Sequence, residues 1–474
     1  MLTDDRKVEE PTATSLKSSV IDGGYCVGCG ACAAAPGSAW SMTFQDGRYL
    51  PQSAAPAPAD DPALAVCPFS DSAPNEDEWA RRLYSDLPAH PQIGRVSQTF
   101  VGHLLDDEMR EKSSSGGLTS WLIGELFARG EIDRVIHSSP NDPDSGEPLY
   151  RFGVSTVENY LAGRKSHYFP VEISGVVEML RTTPGRYAFV GVPCMVKAIR
   201  NLSLQSPEVA ERVRVVIGIV CGHMKTAHFA EALAWEMGVP SNDVQAVDFR
   251  VKAPGGSASS YAASATSRTT PQAPAVQMMR DSRVADWGAG WFRVNACEYC
   301  DDVLAECADV AFGDAWLPKF DKDWRGTNCI VTRRADLGQL LTDGADEGRI
   351  RLVTVTPDDI AASQASGIRH RREGLAYRLS LKREQGLWAP RKRVSPDSAG
   401  ISAERRMIYR LRLAISQASI REFMHAKSVG SYAVFLRRMT PLVFFYKLVQ
   451  SGWKKRVKLV LRLPLQIIRG RRLW

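Results

Sequence analysis

The sequence predicts an α/β (α+β) core between a small cysteine-rich N-terminal module and a helical, basic C-terminal region. Three observations carry that reading. Short β-branched runs alternate with helical ones through the middle of the chain. Four of its ten cysteines fall before residue 68. Residues 431–474 hold eleven Lys and Arg and no acid.

A chain of 474 residues is too long for one small core and predicts two to three domains. Hydrophobic content of 44% and charged content of 24% fit a folded, soluble protein. The N-terminus is polar and no run of about 18 apolar residues occurs, so neither a secretory leader nor a spanning helix is expected. The expected location is the cytoplasm, where thiols stay reduced; ten cysteines there point to metal or redox chemistry rather than disulfides. The net charge of +7 comes from the tail, which leaves the rest of the chain at −4. No nucleic-acid partner is expected for so acidic a body.

In chain order, residues 1–20 read as disordered and 21–72 as the cysteine-rich module, with a Pro/Ala loop over 51–63. Residues 73–95 read as a linker with a short helix at Glu76–Leu83. The core is expected over 96–351: a helix at Thr119–Arg129, strands at Arg134–Ser138, Tyr187–Val192 and Val213–Val220, and a helix with its connection at Lys197–Glu211. Strand, helix, strand at this spacing predicts a parallel sheet. Ligands sit at the carboxyl ends of such strands, where Cys194 and Cys221 fall. Residues 352–474 read as helical, basic from 401 onward.

The module holds Cys26-x2-Cys29-x2-Cys32 and, much later, Cys67-Pro68. This is the spacing of a bacterial ferredoxin triplet, in which a fourth cysteine followed by proline serves the other cluster. Here the second triplet is missing and Pro36 stands where that cysteine would be. The module therefore reads as a ferredoxin-like site reduced to one [4Fe–4S] cluster, with Gly28 and Gly30 free to aim backbone N–H groups at sulfur. Four thiolates also suit zinc, though zinc ribbons use paired C-x2-C knuckles.

Cys194, Cys221, Cys297 and Cys300 could supply four more thiolates from three loops. Cys307 is a fifth candidate, with Asp301 or Asp309 as oxygen donors, while Cys329 reads as a buried structural cysteine. A nucleophilic Cys194 and plain structural cysteines are the competing readings. The run Arg110, Lys112, Ser113, Ser114, Ser115, Gly116, Gly117 precedes a helix and presents hydroxyls, N–H groups and charge to an anion such as a flavin-dinucleotide pyrophosphate. A serine-capped helix start explains it equally. Lys165, Ser166 and Tyr168 form a second such loop. His223 and Lys225, just after Cys221, are the candidate catalytic residues, to contact a flavin ring or substrate; surface or capping roles compete.

Taken together and in order, CVGCGAC (26–32), REKSSSGG (110–117), Lys165-Ser166-x-Tyr168, GVPC (191–194), VCGHMK (220–225), DFRVK (248–252) and CEYC…ADVAFGD (297–314) carry a resemblance. Over about residues 21–345 the chain resembles the beta subunit of coenzyme F-420 hydrogenase/dehydrogenase and its relatives, which include the plant 7-hydroxymethyl chlorophyll a reductase and bacterial members near polysaccharide genes. The resemblance implies an oxidoreductase with FAD at the serine–glycine and Lys-Ser-x-Tyr loops. It implies one or two [4Fe–4S] clusters, the second on Cys194, Cys221, Cys297 and Cys300, with Arg250 and Lys252 facing the cofactor. Electrons would pass between clusters, FAD and a partner protein or a substrate such as a reduced deazaflavin. Two features depart from it: the missing second triplet, and the tail 431–474. The tail's apolar patches Tyr432–Leu436, Leu442–Val449 and Val457–Ile468, interleaved with cations, predict peripheral contact with an anionic membrane at its inner face; packing on the body competes.

Overall fold

The structure is a computed structural model and describes residues 15–54 and 61–451. Its centre is an eight-stranded mixed sheet. In chain order the strands are β1 (Gln98–Leu104), β2 (Arg134–Pro140), β3 (Tyr150–Ser155), β4 (Tyr187–Gly191), β5 (Val213–Ile219), β6 (Val310–Asp314), β7 (Asn328–Thr332) and β8 (Ile350–Thr354). They lie in the spatial order β8-β1-β7-β6-β5-β4-β2-β3. Pairing is parallel from β6 through β5 and β4 to β2. It is antiparallel at both flanks, where β6–β7–β1–β8 and β2–β3 pair. The expected parallel sheet is thus confined to the middle, where β4 and β5 are largely apolar and buried along most of their length. Strands covered on both faces read as continuous apolar runs, which is why these two were visible in the sequence.

Helix α1 (Leu118–Ala128) matches its expected position. Helix α2 starts earlier than expected, at Pro193, and runs to Ser203. Proline at the first helical position has its φ preset and no N–H to satisfy, so it nucleates the helix directly after β4. Cys194 therefore sits on the first turn of α2 rather than in a loop.

The region 21–72 does not stand apart. Its Cys29, Cys32, Trp40 and Phe69 belong to one apolar core that continues through the sheet to Tyr446. Residues 17–21 form a helical turn that buries Val20, so the expected disorder does not extend over them; residues 1–14 lie outside the described residues. Part of the expected Pro/Ala loop is strand, because Arg48–Ser53 pairs with Trp40–Gln45 in a hairpin. The helix Glu76–Leu83 is capped by Asn75 and Glu78, each side chain bonding the other's backbone N–H.

Beyond the sheet come α3 (Ala365–Arg371), α4 (Glu373–Glu384), α5 (Ala403–Ser428) and α6 (Tyr432–Gln450). Helix α6 folds back on α5 and buries Phe435, Met439, Val443 and Tyr446. The apolar patches 432–436 and 442–449 thus pack in part on protein, the competing reading, while Phe445 of the second patch stays exposed. Residues 452–474, including Val457–Ile468, lie outside the described residues. No helix among the described residues is long and apolar enough to cross a membrane.

Candidate redox site

The first thiol set is built by a loop and a hairpin. Gly28 and Gly30 take left-handed backbone angles, φ 74° and 81°. A Cβ on Gly28 would lie 2.6 Å from the carbonyl oxygen of Tyr49 in the hairpin, so only glycine lets the loop pack there. The Gly28 N–H donates to Cys26 Sγ at 3.4 Å. Cys67 arrives from the far side, after the short helix Ala63–Val66. Cys26, Cys29, Cys32 and Cys67 line one small cavity. Burial, then the neighbouring thiols, pushes Cys29 and Cys32 well above the usual thiol range; burial pushes Cys67 to about 12.

The second set is assembled by topology. Cys194 comes from α2, Cys221 from the segment after β5, and Cys297 and Cys300 from the turn at Asn295–Tyr299 and its end. Burial raises Cys194 most, followed by the thiols of Cys221, Cys297 and Cys300, and then by Cys29 of the first set. The backbone N–H of Met224 donates to Cys297 Sγ at 3.2 Å, and Cys194 Sγ lies 3.7 Å from Met224 Sδ. Within the 297–300 turn, Glu298 is fully buried and faces Arg293, Arg378 and His370, which fixes the turn.

The reserve candidates lie elsewhere. Cys307 is surrounded by Glu76, Asp302, Lys197 and Glu306. Asp301 binds Arg393, and Asp309 binds Arg200 and Tyr84. Cys329 Sγ donates to the Asp314 carbonyl. Among the described residues, no three His, Cys, Asp or Glu side chains form a site for a single metal ion. The first set instead forms the walls of a shared space.

Next to the second set opens a cavity of about 760 Å³, within the usual size of a cofactor site. Ser113, Ser114, Ser115, Gly117, Lys165, Ser166, Tyr168, Cys221, His223, Lys225 and Arg250 all line it. Its rim near α1 depends on Gly116: a Cβ there would lie 2.8 Å from Gly102 O and Asn328 Oδ1. Asn328, on β7, accepts from the Leu118 N–H and so caps α1 in place of a serine. Ser114 Oγ accepts from the Ser166 N–H at 2.7 Å and ties the two loops together. Arg250 is buried against Asp314 at 3.0 Å, donates to the Ser114 carbonyl, and lies over the Tyr261 ring.

Three expected cations do not line this cavity, and the correction has a physical cause. Arg110 is buried and spent on Asp323 and the Gly326 carbonyl. Lys112 is exposed and pairs with Glu108 one turn earlier. Lys252 donates to the carbonyls of Arg110, Ser115 and Arg325, so it fixes the loop from behind. Gly116, too, packs beneath the loop instead of lining the cavity.

At the other end, Lys225 Nζ donates to the Trp291 carbonyl at 2.6 Å and lies over the Trp287 and Phe229 rings. Burial, then Arg293, drives its amine well below the usual lysine range. His223 packs on Trp287, and its Nε2 is buried without a hydrogen-bond partner. Both residues are buried at a cavity wall, not at the surface. Three further histidines line the cavity: burial lowers His137 to about 4, and His167 and His370 to about 3, so all three are neutral.

Comparison with known proteins supplies the identity. The family is coenzyme F-420 hydrogenase/dehydrogenase, beta subunit: residues 185–358 match the model for its C terminus, and residues 99–178 match the model for its N-terminal part. Together these cover more than half of the chain. It belongs to this family. A curated relative, the F subunit of F(420)H(2) dehydrogenase from Methanosarcina mazei, is 33% identical over 112 residues. That match covers 23% of this chain and 30% of the relative, so the chain aligns with under a third of the relative's length. Among solved structures, a chain from a xenon-derivatised F-420-reducing hydrogenase complex of Methanosarcina barkeri is 18% identical, with a TM-score of 0.48. It is covered over 99% of its length by 64% of this chain.

His137, Trp287, Asp314 and Asn328 were missed as site residues. Among them only Asp314 had a signal in the sequence, since it closes the ADVAFGD run of the family pattern; His167 lies inside the expected Lys165–Tyr168 loop. The others reach the site through pairings distant along the chain.

Proposed function

We propose that the chain is an iron–sulfur flavoprotein oxidoreductase that passes electrons between [4Fe–4S] clusters, FAD and a substrate or partner. One observation carries the reading: the sites are contiguous. Cys29 of the first set neighbours Cys194 of the second, and Cys221 of the second set is part of the cavity wall.

The residues fit these groups. Four thiols around one space, two buried and two half-buried, with a backbone N–H at a sulfur, suit a cubane cluster. The cavity's serine–glycine rim, the start of α1 and the buried Arg250 suit a pyrophosphate. When bound, the flavin supplies two-electron hydride chemistry and the clusters supply single-electron transfer. The chain's own work is positioning. The Ser114–Ser166 tie holds the rim, and the Trp287 and Tyr168 rings, packed edge to face 4.7 Å apart, form an apolar wall of the cavity. Lys225 Nζ, held on the Trp291 carbonyl at the cavity wall, is the atom placed to hold or release a proton there.

A second reading is an electron-transfer subunit with no substrate of its own, favoured because the curated relative is named as a subunit of a larger enzyme. A zinc-stabilised binding protein is the non-redox alternative, and metal analysis separates it from both. A cytoplasmic location with peripheral membrane contact through residues 431–474 belongs to the same reading; unchanged liposome sedimentation at low salt after deletion of 431–474 would remove the membrane contact.

The experiment for the main reading is anaerobic titration with a reduced deazaflavin under visible spectroscopy. Bleaching of both flavin and cluster bands in the native chain, and of the flavin band alone in Cys221→Ser, supports it. A chain with no reducible chromophore overturns it.

A further inference from the structure

Arg371, the last residue of α3, lies outside every motif of the family pattern. It is 2% exposed. One terminal nitrogen donates to the carbonyls of Cys221 and Gly222, at 2.9 and 2.8 Å. Its Nε is buried without a hydrogen-bond partner. No acid pairs with it at ion-pair distance among the described residues. Its strongest electrostatic neighbours are the thiols of Cys300, Cys221 and Cys297, followed by Asp302. In turn, Arg371 is the foremost stabiliser of the thiolate form at all three of these cysteines.

A buried guanidinium without an acid of its own is costly unless other negative charge offsets it. Three thiolates carrying a cluster are such a charge, and arginine stays protonated under all ordinary conditions. A fixed cation at this distance, in a medium where water screens little, favours whichever cluster state carries one more electron.

Resting on the reading of Cys194, Cys221, Cys297 and Cys300 as cluster ligands, we infer that Arg371 is a positioning residue which raises the reduction potential of the second cluster. The first set has no counterpart of the same rank: Arg48 at Cys26 comes after burial and the Gly28 N–H, and Lys197 and Lys392 at Cys67 come after burial, the Phe69 N–H and the Cys26 thiol. The two clusters would therefore differ in potential, the one beside the cavity being the easier to reduce. Electrons leaving the flavin would settle there first.

The test is a redox titration of the intact chain followed by EPR, comparing native protein with Arg371→Gln, Arg371→Met and Arg371→Lys, with iron counted in each. The expected result is a shift of one cluster to lower potential in the Gln and Met variants, near-native behaviour in the Lys variant, and an unmoved first cluster in all. If the neutral variants lose the second cluster while Lys keeps it at native potential, the charge is again the cause. About eight irons with unchanged potentials in Gln and Met would overturn the inference and leave the cluster reading intact. A Lys variant displaced as far as Gln would also overturn it, since the charge is retained. About four irons in the native chain would overturn both.

Discussion

The two thiol sets are made in opposite ways. The first uses a loop of seven residues, Cys26 to Cys32, plus one cysteine at the end of the short helix Ala63–Val66, and two glycines in left-handed conformations set its shape. The second is gathered by the sheet: a helix start after β4, a segment after β5 and a turn before β6. The first sits in a small cavity of its own, while the second reaches the wall of the large one through Cys221. A local loop can be transplanted or lost as a unit. A site gathered by topology persists only while the core does, and it can place a cluster against a cofactor.

The largest expected effect breaks the comparison directly. Cys32→Ser and Cys297→Ser should each remove about four irons, and different ones, as read by iron analysis and EPR. Loss of all iron from either single variant would mean the sets are not independent.

Arg250→Ala comes next. It leaves Asp314 without its buried partner, so flavin retention should collapse and stability should fall by roughly 3 kcal/mol, seen in the urea midpoint. Full flavin occupancy would remove Arg250 from the site. Gly116→Ala places a methyl against Gly102 O and Asn328 Oδ1. It should cost about 1–3 kcal/mol and weaken flavin binding while leaving the first set's irons in place.

The cavity histidines give a pH signature. Folding lowers His137 from 6.5 to about 4, so between those values the unfolded chain binds more protons. Stability should therefore fall on acidification, by about 2 kcal/mol between pH 6.5 and 5 for this residue, and His137→Gln should flatten that slope. The smallest effect is at Lys112. Its exposed pair with Glu108 is worth about 0.5 kcal/mol or less, and Lys112→Ala should leave flavin content unchanged.

These contrasts follow what was legible in the sequence. Cys26, Cys29 and Cys32 could be read because their geometry is local. Strands β4 and β5 could be read because both faces are apolar. The direction of a cation could not: Arg110 and Arg250 look alike in sequence, yet one is spent on Asp323 behind the loop and the other lines the cavity. Arg371 gave no signal, since its partners lie about 150 residues away. The patches on α6 were read correctly as apolar, but amphipathic spacing does not say whether lipid or α5 covers them.

The most direct test is composition. The chain, purified without oxygen, is analysed for iron, acid-labile sulfide and flavin. The account predicts about eight irons, matching sulfide and one flavin per chain. Zinc in place of iron, with no flavin, would contradict it.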